Sequence, residues 1–372
     1  MPVTSNPVDK VFTSPSRYVQ GPGLLSRSAQ YLAPLGTSPI LIADETVWKI
    51  AGDDLEAALK GEDFTVTRAV FTGESSFSEI DRLVEQGEGS DVVIGLGGGK
   101  TIDTARAVAD RLSVPVAIFP TAVSADAPTA RVSVIYTDTG EFDSYLFYES
   151  NPQLVAVDTE VIAKAPVSSL RSGIGDALAT SIEARAVNRA GSRRMDDKAA
   201  PTLAGLAIAE KCEEVLFAYS HQALRDAEEH VVSPALDAIC QANTLLSGLG
   251  FENSGLAAAH AIHNGFTAID GEIHHKSHGE KVSFGVCTQL MLEGVDTATA
   301  DRYIGFLQSV GLPTTLAELH LDGASDEDLH KIAELSCAEG ETMKQMPGEI
   351  TPDQVVQAIR AADAYGRALA KK

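Results

Sequence analysis

The feature that most constrains the fold is a run of glycines after an apolar stretch, Asp91-Val-Val-Ile-Gly-Leu-Gly-Gly-Gly-Lys-Thr-Ile-Asp103. The residues from Val92 to Leu96 predict a buried strand, which the glycines at 97 to 99 end. Apolar residues at helical spacing follow Lys100 and predict a helix to about residue 112. A strand, a glycine turn and a helix start predict a phosphate site, because glycine lets a ligand approach the backbone and the first helical amides are free to donate.

The glycine turn matches neither of two common nucleotide-binding patterns. The P-loop needs four residues between its first glycine and the Gly-Lys-Thr triplet, whereas Gly95 leaves only three before Gly99. If Gly95 and Gly97 are the first two glycines of the dinucleotide fingerprint, the third position holds Lys100. On this stretch alone, a tight turn that binds nothing remains an alternative.

Composition bounds the class of protein. The chain has 372 residues, enough for two domains, and with 44% hydrophobic and 22% charged residues it is typical of a soluble globular protein. No run approaches the roughly 18 apolar residues of a membrane span, and the N-terminus does not resemble a signal peptide, so we expect a cytoplasmic protein. The four cysteines form no CxxC pair and are interpreted as reduced thiols. The net charge of -23 argues against nucleic acids and anionic membranes as partners, because both bind basic surfaces.

Strand and helix patterns alternate in the first part of the chain. Predicted strands lie at 39–43, 65–71, 91–96, 114–119 and 154–157, and a hairpin is predicted over 131–147. The alternation predicts βαβ units and a Rossmann-like parallel sheet. Ligands bind outside the carboxyl ends of such strands, which places Asp44, Gly97 to Lys100 and the segment 120–124 along one edge.

Strand patterns disappear beyond about residue 160. Alanine- and leucine-rich stretches at 175–189, 202–219, 231–249 and 352–370 predict long helices. We therefore predict an α/β domain over residues 1–162 and an all-helical domain over residues 163–372.

Three segments of the helical half carry groups that bind metals. Ser172-Gly-Ile-Gly-Asp176 predicts a helix start with its acid as an N-cap or dipole partner. His260 and His263 lie three residues apart on one helix face, and a third segment, 274–281, contains three more histidines. Imidazole and carboxylate together suit zinc or a similar divalent ion. The spacing is no recognised metal motif, so packed or solvated histidines remain an alternative.

The chain resembles the bacterial glycerol dehydrogenases, a family within the iron-containing (group III) alcohol dehydrogenase superfamily, which is related to dehydroquinate synthase. The similarity runs from about Ser16 to the last helix. Six motifs in the same order carry it: Gly97-Gly-Gly-Lys-Thr-Ile-Asp103, Pro120-Thr-Ala-Val-Ser-Ala-Asp-Ala-Pro128, Val134-Ile-Tyr-Thr-Asp-Thr-Gly-Glu-Phe142, Gly173-Ile-Gly-Asp-Ala177, Gly255-Leu-Ala-Ala-Ala-His-Ala-Ile-His-Asn-Gly265 and His278-Gly-Glu-Lys-Val282.

This resemblance implies an N-terminal domain that binds NAD and a C-terminal helical domain that holds zinc. It places the metal ligands at Asp176, His260 and His278, and catalytic roles at His260 and at Asp126, which would contact the substrate. The implied cofactor contacts are Asp44, Gly97, Gly98, Gly99, Lys100, Asp103, Thr121, Ser124, Val132 and Tyr136.

Two positions depart from the pattern of these relatives. Ala130 stands where the family commonly has a hydroxyl side chain near the nicotinamide, which removes one cofactor hydrogen bond. Iron-type relatives tend to have a histidine four residues after the aspartate, and Thr180 occupies that position here. Three ligands rather than four favour zinc over iron.

The activity that the resemblance implies is reversible oxidation of glycerol to dihydroxyacetone with NAD, in a homo-oligomer such as an octamer. Zinc would acidify a polyol hydroxyl, the resulting alkoxide would give a hydride to NAD, and Asp126 would fix which carbon reacts. Asp44 would accept from ribose hydroxyls and so favour NAD over NADP. The alternatives are the same fold acting on another vicinal diol or polyol, a cyclase of the dehydroquinate-synthase type, or a non-catalytic nucleotide or metal sensor.

Overall fold

A computed structural model describes residues 8–194 and 198–371. The chain forms two compact units: Thr13–Leu170 with Tyr219–Gly248, and Arg171–Ala218 with Leu249–Lys372 and the N-terminal segment. These units do not follow the division predicted at 162/163, because residues 219–248 pack with the α/β unit. His230 Nδ1 there bonds the Ala163 carbonyl at 2.8 Å. Residues 1–7, 195–197 and 372 of the predicted domains lie outside the described residues.

The strands follow the predicted alternation. In chain order they are β1 (Tyr18–Gly21), β2 (Pro39–Ala43), β3 (Thr67–Val70), β4 (Val92–Gly97), β5 (Val116–Pro120), β6 (Val132–Tyr136), β7 (Phe142–Phe147) and β8 (Leu154–Asp158). Six of them form one sheet in the order β1-β8-β5-β4-β2-β3, and every pairing in it is parallel. The other two, β6 and β7, pair as an antiparallel hairpin. The predicted parallel sheet and hairpin are confirmed, while the four-residue edge strand β1 was missed.

Continuous apolar strands build the core of the α/β unit. Every residue of β2, β4, β5 and β8 is buried, as expected for inner strands of a parallel sheet. Trp48 is 1% exposed and belongs to the same hydrophobic cluster. Its indole nitrogen donates to the Ala69 carbonyl at 3.2 Å, which satisfies its buried polar atom.

The α-helices are, in chain order, α1 (Ala29–Leu32), α2 (Glu45–Val47), α3 (Asp53–Lys60), α4 (Phe77–Gln86), α5 (Gly99–Leu112), α6 (Thr159–Lys164), α7 (Val167–Ala190), α8 (Leu203–Glu228), α9 (Pro234–Gln241), α10 (Ser247–Ser254), α11 (Ala258–Gly265), α12 (His278–Glu293), α13 (Thr297–Ser309), α14 (Asp326–Ser336) and α15 (Pro352–Leu369). In the part of the chain that the structure describes, none of these helices has both the length and the apolarity to cross a membrane. The second unit is helical, so the predicted fold class is confirmed.

The helix predicted over 231–249 is interrupted. Between α9 and α10 the segment Ala242–Leu246 forms a π-helix. In this wider turn the Asn243 amide donates to the Val123 carbonyl at 3.0 Å and to the Leu170 carbonyl at 3.1 Å. The sequence analysis did not predict this turn, because a π-helix is a rare single-turn insertion inside a helix that otherwise keeps α-helical spacing.

The predicted helix start at Asp176 is wrong. Asp176 lies inside α7, which begins nine residues earlier at Val167. Gly175, directly before it, serves helix packing: a Cβ there would lie 2.5 Å from the Gly279 carbonyl oxygen, and a Cβ on Gly279 would lie 1.7 Å from the Ser172 carbonyl oxygen. Glycine is needed here because α7 and α12 approach backbone to backbone.

Candidate active site

Three helices of the second unit bring the predicted metal ligands together. Asp176 lies on α7, His260 on α11 and His278 at the first position of α12. One ligand atom from each residue can be chosen so that all lie within 4.8 Å of one another. We call Asp176, His260 and His278 the triad. Asp176 lies 84 positions before His260, and His278 follows His260 by 18 positions, so only the fold assembles the triad.

Close helix packing positions the triad. A Cβ on Gly285 of α12 would lie 2.3 Å from the Ala259 carbonyl oxygen of α11, just as Gly175 and Gly279 press α7 against α12. Ser277 is the N-cap of α12 and forms a capping box with Glu280. These bonds fix the first turn of α12, and His278 is the first residue of that turn. Contacts that require glycine therefore set the spacing of all three ligand-bearing helices.

The centre of the triad is a buried carboxylate. Asp176 is 1% exposed, and its Oδ1 lies 3.0 Å from His278 Nε2 and 3.3 Å from His260 Nε2. Its Oδ2 is buried and has no hydrogen-bond partner among the described residues. A buried carboxylate oxygen without a partner is costly, and a cation would remove that cost. The donor set of one carboxylate and two imidazoles therefore fits a divalent metal.

The pKa shifts of Asp176 and His260 also indicate a cation site. Burial by itself would raise the pKa of Asp176, but His278 and His260 beside it lower it well below its usual range. Burial would likewise lower the pKa of His260, whereas Glu183 and Asp176 raise it well above its usual value. A proton on the His260 imidazole thus offsets the charge of the buried carboxylates. A divalent ion would do the same on binding and displace that proton.

Glu183 is a functional candidate that the sequence analysis missed. It is completely buried on α7, and its Oε2 accepts from His260 Nδ1 at 2.6 Å. Its Oε1 accepts from the backbone amides of Ala257 at 2.8 Å and His260 at 3.0 Å. The signal was available: α11 begins after alanines, without a Ser, Thr, Asp or Asn cap, so its free amides need acceptors from elsewhere in the fold.

The remaining nearby histidines stand outside the triad. The His263 ring lies 4.3 Å from that of His278, centroid to centroid, and its Nδ1 is 3.0 Å from the Asn264 side-chain oxygen. Burial, followed by the charges of His278 and Lys281, lowers the pKa of His263. His274 bonds the Ile269 carbonyl, and the His275 side chain is 78% exposed.

In the first unit, most of the residues expected to contact the cofactor follow the carboxyl ends of neighbouring strands. Asp44, the glycine turn and the segment 121–124 follow the carboxyl ends of β2, β4 and β5, which are neighbouring strands. Gly97 pairs directly with Pro120 in the register of β4 and β5. Thr121 and Ser124 follow β5, while Val132 and Tyr136 begin and end β6.

Within the glycine turn, the glycines have different surroundings. A Cβ on Gly97 would lie 2.9 Å from the Thr101 side chain, so packing requires that glycine. A Cβ on Gly98 or Gly99 would meet no described atom within 4 Å. These two residues form the N-terminus of α5, where backbone amides point outward. The open space lies where an anion would approach.

Lys100 and Asp103 already have partners. Lys100 Nζ lies 2.6 Å from the Glu74 carboxylate and 5.3 Å from the centre of the Tyr136 ring. Asp103 is buried, accepts from Arg106 at 2.8 Å and from the Val134 amide at 3.2 Å, and so fastens α5 to β6. Burial raises the pKa of Asp103 to about 6, against the opposing charge of Arg106. A cofactor contact by either residue stays a prediction.

Hydrogen bonds within the first unit orient the side chains of Asp44 and Asp126. Asp44 Oδ1 caps α2 by accepting from the amides of Thr46 at 2.8 Å and Val47 at 2.9 Å. Asp126 Oδ2 accepts from the Ser247 hydroxyl at 3.1 Å. Ser247 directly follows the π-helix, so this contact was invisible in the sequence analysis.

Similarity to known proteins decides the family. The model of the iron-containing alcohol dehydrogenase family matches residues 15–159. Glycerol dehydrogenase of Escherichia coli O6:H1 is 46% identical over 362 residues, covering 97% of this chain and 98% of the relative. The chain belongs to the iron-containing alcohol dehydrogenase family. Among other members, the glycolaldehyde reductase of Halobacterium salinarum is 45% identical and covers 96% of this chain and 98% of its own.

A solved structure of the family agrees with the fold described above. Glycerol dehydrogenase from Schizosaccharomyces pombe superposes with a TM-score of 0.95 at 41% identity, covering 98% of this chain and 93% of the other. The resemblance from six motifs is thereby confirmed at the level of family and fold.

Proposed function

We propose that this member of the iron-containing alcohol dehydrogenase family is an NAD-dependent polyol dehydrogenase. It oxidises glycerol reversibly to dihydroxyacetone, with a metal ion held by Asp176, His260 and His278. The observation that carries the proposal is the triad, in which two histidines flank a buried carboxylate with an unpartnered oxygen. Glycerol as substrate is supported by the names of relatives at 46% and 41% identity over nearly the whole chain.

The proposed reaction needs a metal ion and NAD, and the residues of the chain must support the chemistry of both. A metal ion would supply Lewis acidity toward a substrate hydroxyl, and NAD would supply the acceptor for a hydride from the carbinol carbon. Oxidation of one secondary alcohol then yields one ketone, one NADH and one proton, so atoms and electrons balance.

The residues of the chain provide binding and orientation. The amides at Gly98 and Gly99, at the start of α5, would donate to the cofactor pyrophosphate. The Asp44 carboxylate, at the end of β2, would accept from the adenosine ribose hydroxyls and repel a 2′-phosphate. Asp126 would accept from a substrate hydroxyl, with Ser247 fixing the direction of its carboxylate.

We propose zinc as the metal, although the family takes its name from iron. Thr180 lies one turn along α7 from Asp176 and is 1% exposed. It offers a hydroxyl at the position of the fourth ligand expected in iron-type relatives, which leaves three strong ligands and an open position. That number is typical of catalytic zinc.

A second candidate is reduction of a small α-hydroxyaldehyde. The relative named glycolaldehyde reductase is almost as similar as the glycerol dehydrogenases, at 45% identity. Reduction of glycolaldehyde gives a vicinal diol, so the same site would run the same chemistry in the other direction. The preferred substrate therefore distinguishes the two candidates, and the reaction type does not.

The test is NADH formation with a panel of polyols, headed by glycerol and 1,2-ethanediol, and NADH consumption with dihydroxyacetone and glycolaldehyde. Each assay is run before chelation, after chelation, and after return of zinc or ferrous iron. We expect chelator-sensitive turnover of glycerol that zinc restores. No turnover on any diol or aldehyde by a protein shown to contain metal would overturn the proposal. Cytoplasmic location and homo-oligomeric assembly remain predictions.

A further inference from the structure

We propose that Glu183 is a positioning residue for the metal site, acting through His260. This inference rests on the proposed triad and goes beyond it, because Glu183 lies outside the ligand set. The residue is buried on α7, seven positions after Asp176 and on the same helix. One helix thus carries a proposed ligand and the group that orients a second ligand.

The contacts of Glu183 leave its carboxylate little freedom. Oε2 accepts from His260 Nδ1 at 2.6 Å, and Oε1 accepts from two backbone amides at the start of α11. A carboxylate only accepts hydrogen bonds, so the proton of the neutral His260 ring must sit on Nδ1. The lone pair then lies on Nε2, which is the nitrogen that faces Asp176 at 3.3 Å.

The backbone bonds add a second constraint. Glu183 Oε1 holds the amides of Ala257 and His260, and Gln289 Oε1 of α12 accepts from the Ala259 amide at 2.9 Å. Side chains from α7 and α12 therefore cap α11, which has no cap of its own. The position of the His260 backbone and the proton on its ring depend on the same carboxylate.

Glu183→Gln tests the positioning role directly, because glutamine nearly preserves the shape of the side chain. An amide has one oxygen and one NH2 group, so it cannot accept at both ends. If its NH2 faces His260, the ring proton moves to Nε2 and must be displaced before the metal binds there. If its NH2 faces α11, two backbone amides meet a donor and the helix start shifts. Either arrangement weakens the ligand.

The experiment measures zinc affinity by chelator competition on the stripped full-length protein, for wild type, Glu183→Gln and Glu213→Gln. Glu213 is the matched control: it is also a buried glutamate that contacts α7, through Ser181 and Arg185, but it touches no triad residue. We expect the zinc Kd to rise about 10- to 100-fold in Glu183→Gln, the usual cost of losing such a partner. Glu213→Gln should bind zinc like wild type, and the NAD Kd should be unchanged in both.

The outcomes separate this inference from the proposed function. Wild-type protein that binds no zinc would overturn the metal site itself. Zinc binding at wild-type affinity in Glu183→Gln would overturn only the positioning role, and so would an equal loss of affinity in the Glu213→Gln control. If Glu183→Gln does not fold, 15N NMR of histidines in the zinc-loaded wild type decides. Ligation through His260 Nε2 with a proton on Nδ1 supports the inference, and ligation through Nδ1 overturns it.

Discussion

The proposed metal site and the proposed cofactor edge are built in different ways. The triad is built around a buried carboxylate: Asp176 is 1% exposed, and Glu183, which contacts His260, is fully buried. The His260 and His278 side chains are 12% and 40% exposed. The glycine turn offers backbone amides next to open space, and its one charged side chain, Lys100, is 48% exposed. One region depends on which side chain is present, and the other depends on where the backbone runs.

This difference has a physical reason. A divalent ion needs ligands whose charge and direction are held before it arrives, and burial with a second layer of hydrogen bonds holds them. A pyrophosphate is a larger anion that amide dipoles can bind without any side chain. Substitutions should therefore abolish function in the helical unit and reduce it by degrees in the α/β unit.

The largest effect is expected for Asp176→Asn, which keeps the shape of the side chain and removes the buried charge. Turnover should fall by more than about 100-fold, since loss of an outer partner alone costs about 10- to 100-fold. Metal content and NADH formation are measured together. Glu214→Gln, an acid of the same unit whose side chain is 69% exposed, should retain both. Full turnover by a metal-free Asp176→Asn protein would show that activity does not depend on the triad side chains, and the contrast between the two regions would fail.

Gly175→Ala tests whether packing, in addition to ligand identity, makes the triad. The new methyl group would meet the Gly279 carbonyl and push α7 away from α12. We expect about 1–3 kcal/mol less stability in urea unfolding, together with weaker metal binding. Gly323→Ala, where a Cβ meets no described atom within 4 Å, is the control and should change neither. Unchanged metal affinity in Gly175→Ala would show that the helices tolerate a wider spacing.

For Gly99→Ala, in the glycine turn, we predict the opposite of Gly175→Ala: the stability is kept and ligand binding is weakened. Its methyl group meets no described atom within 4 Å, so we expect the free energy of unfolding to stay within about 0.5 kcal/mol of wild type. The methyl would occupy the approach to the amides, and the NAD Kd should rise about tenfold, or about 1.4 kcal/mol.

Gly95→Ala is the matched contrast on the preceding strand. Its Cβ would lie 2.6 Å from the Ala105 methyl, so it should lower stability. Isothermal titration with NAD, alongside urea unfolding, separates the two effects. A Gly99→Ala protein with wild-type NAD affinity would contradict the proposed phosphate site.

Ser247→Ala is expected to have a smaller effect on polyol binding. It removes one hydrogen bond to Asp126, worth about 1 kcal/mol, so KM for glycerol should rise about fivefold while the NAD Kd is unchanged. Ser28→Ala, another buried serine of the same unit, bonded to the Leu25 carbonyl, is the control. A change confined to stability, with KM unaltered, would assign Ser247 a purely structural role.

The smallest effect on turnover is expected for Glu213→Gln, which should alter the response to acid. Burial opposes ionisation of Glu213, but Arg185, Ser181 and Tyr303 outweigh it and lower its pKa from 4.5. A lowered pKa stabilises the fold at pH values above 4.5 and loses that contribution as pH falls through the folded value. Urea unfolding at pH 7 and pH 3 should therefore show a wild-type advantage that shrinks in acid. An advantage independent of pH would assign the contribution to packing.

Much of the α/β unit was predictable because its signals are local. Apolar runs such as Val92 to Leu96 and the glycine turn after them report strand, turn and helix within a few residues. The edge strand β1 was missed because four residues at the sheet edge carry little hydrophobic pattern. The segment 219–248 was assigned to the helical domain because composition cannot tell which core a helix joins.

The proposed metal ligands were placed by resemblance, since neither spacing nor composition separates His260 and His278 from the three histidines around them. The structure distinguishes them by their distances to Asp176. Local reasoning misread Asp176 as a helix cap because glycine pairs also mark helix starts. Only the position of α12 reveals that Gly175 exists for close packing.

The sequence by itself determined the alternation of strands and helices, the glycine turn, the family and the identity of the groups available for chemistry. These follow from residue types and short spacings, which act through local conformation and burial. Three contacts could be read only from the packed structure: Glu183 with His260, Ser247 with Asp126, and Lys100 with Glu74. Such contacts join residues 26 to 121 positions apart. They depend on how helices and strands pack, which no local pattern encodes.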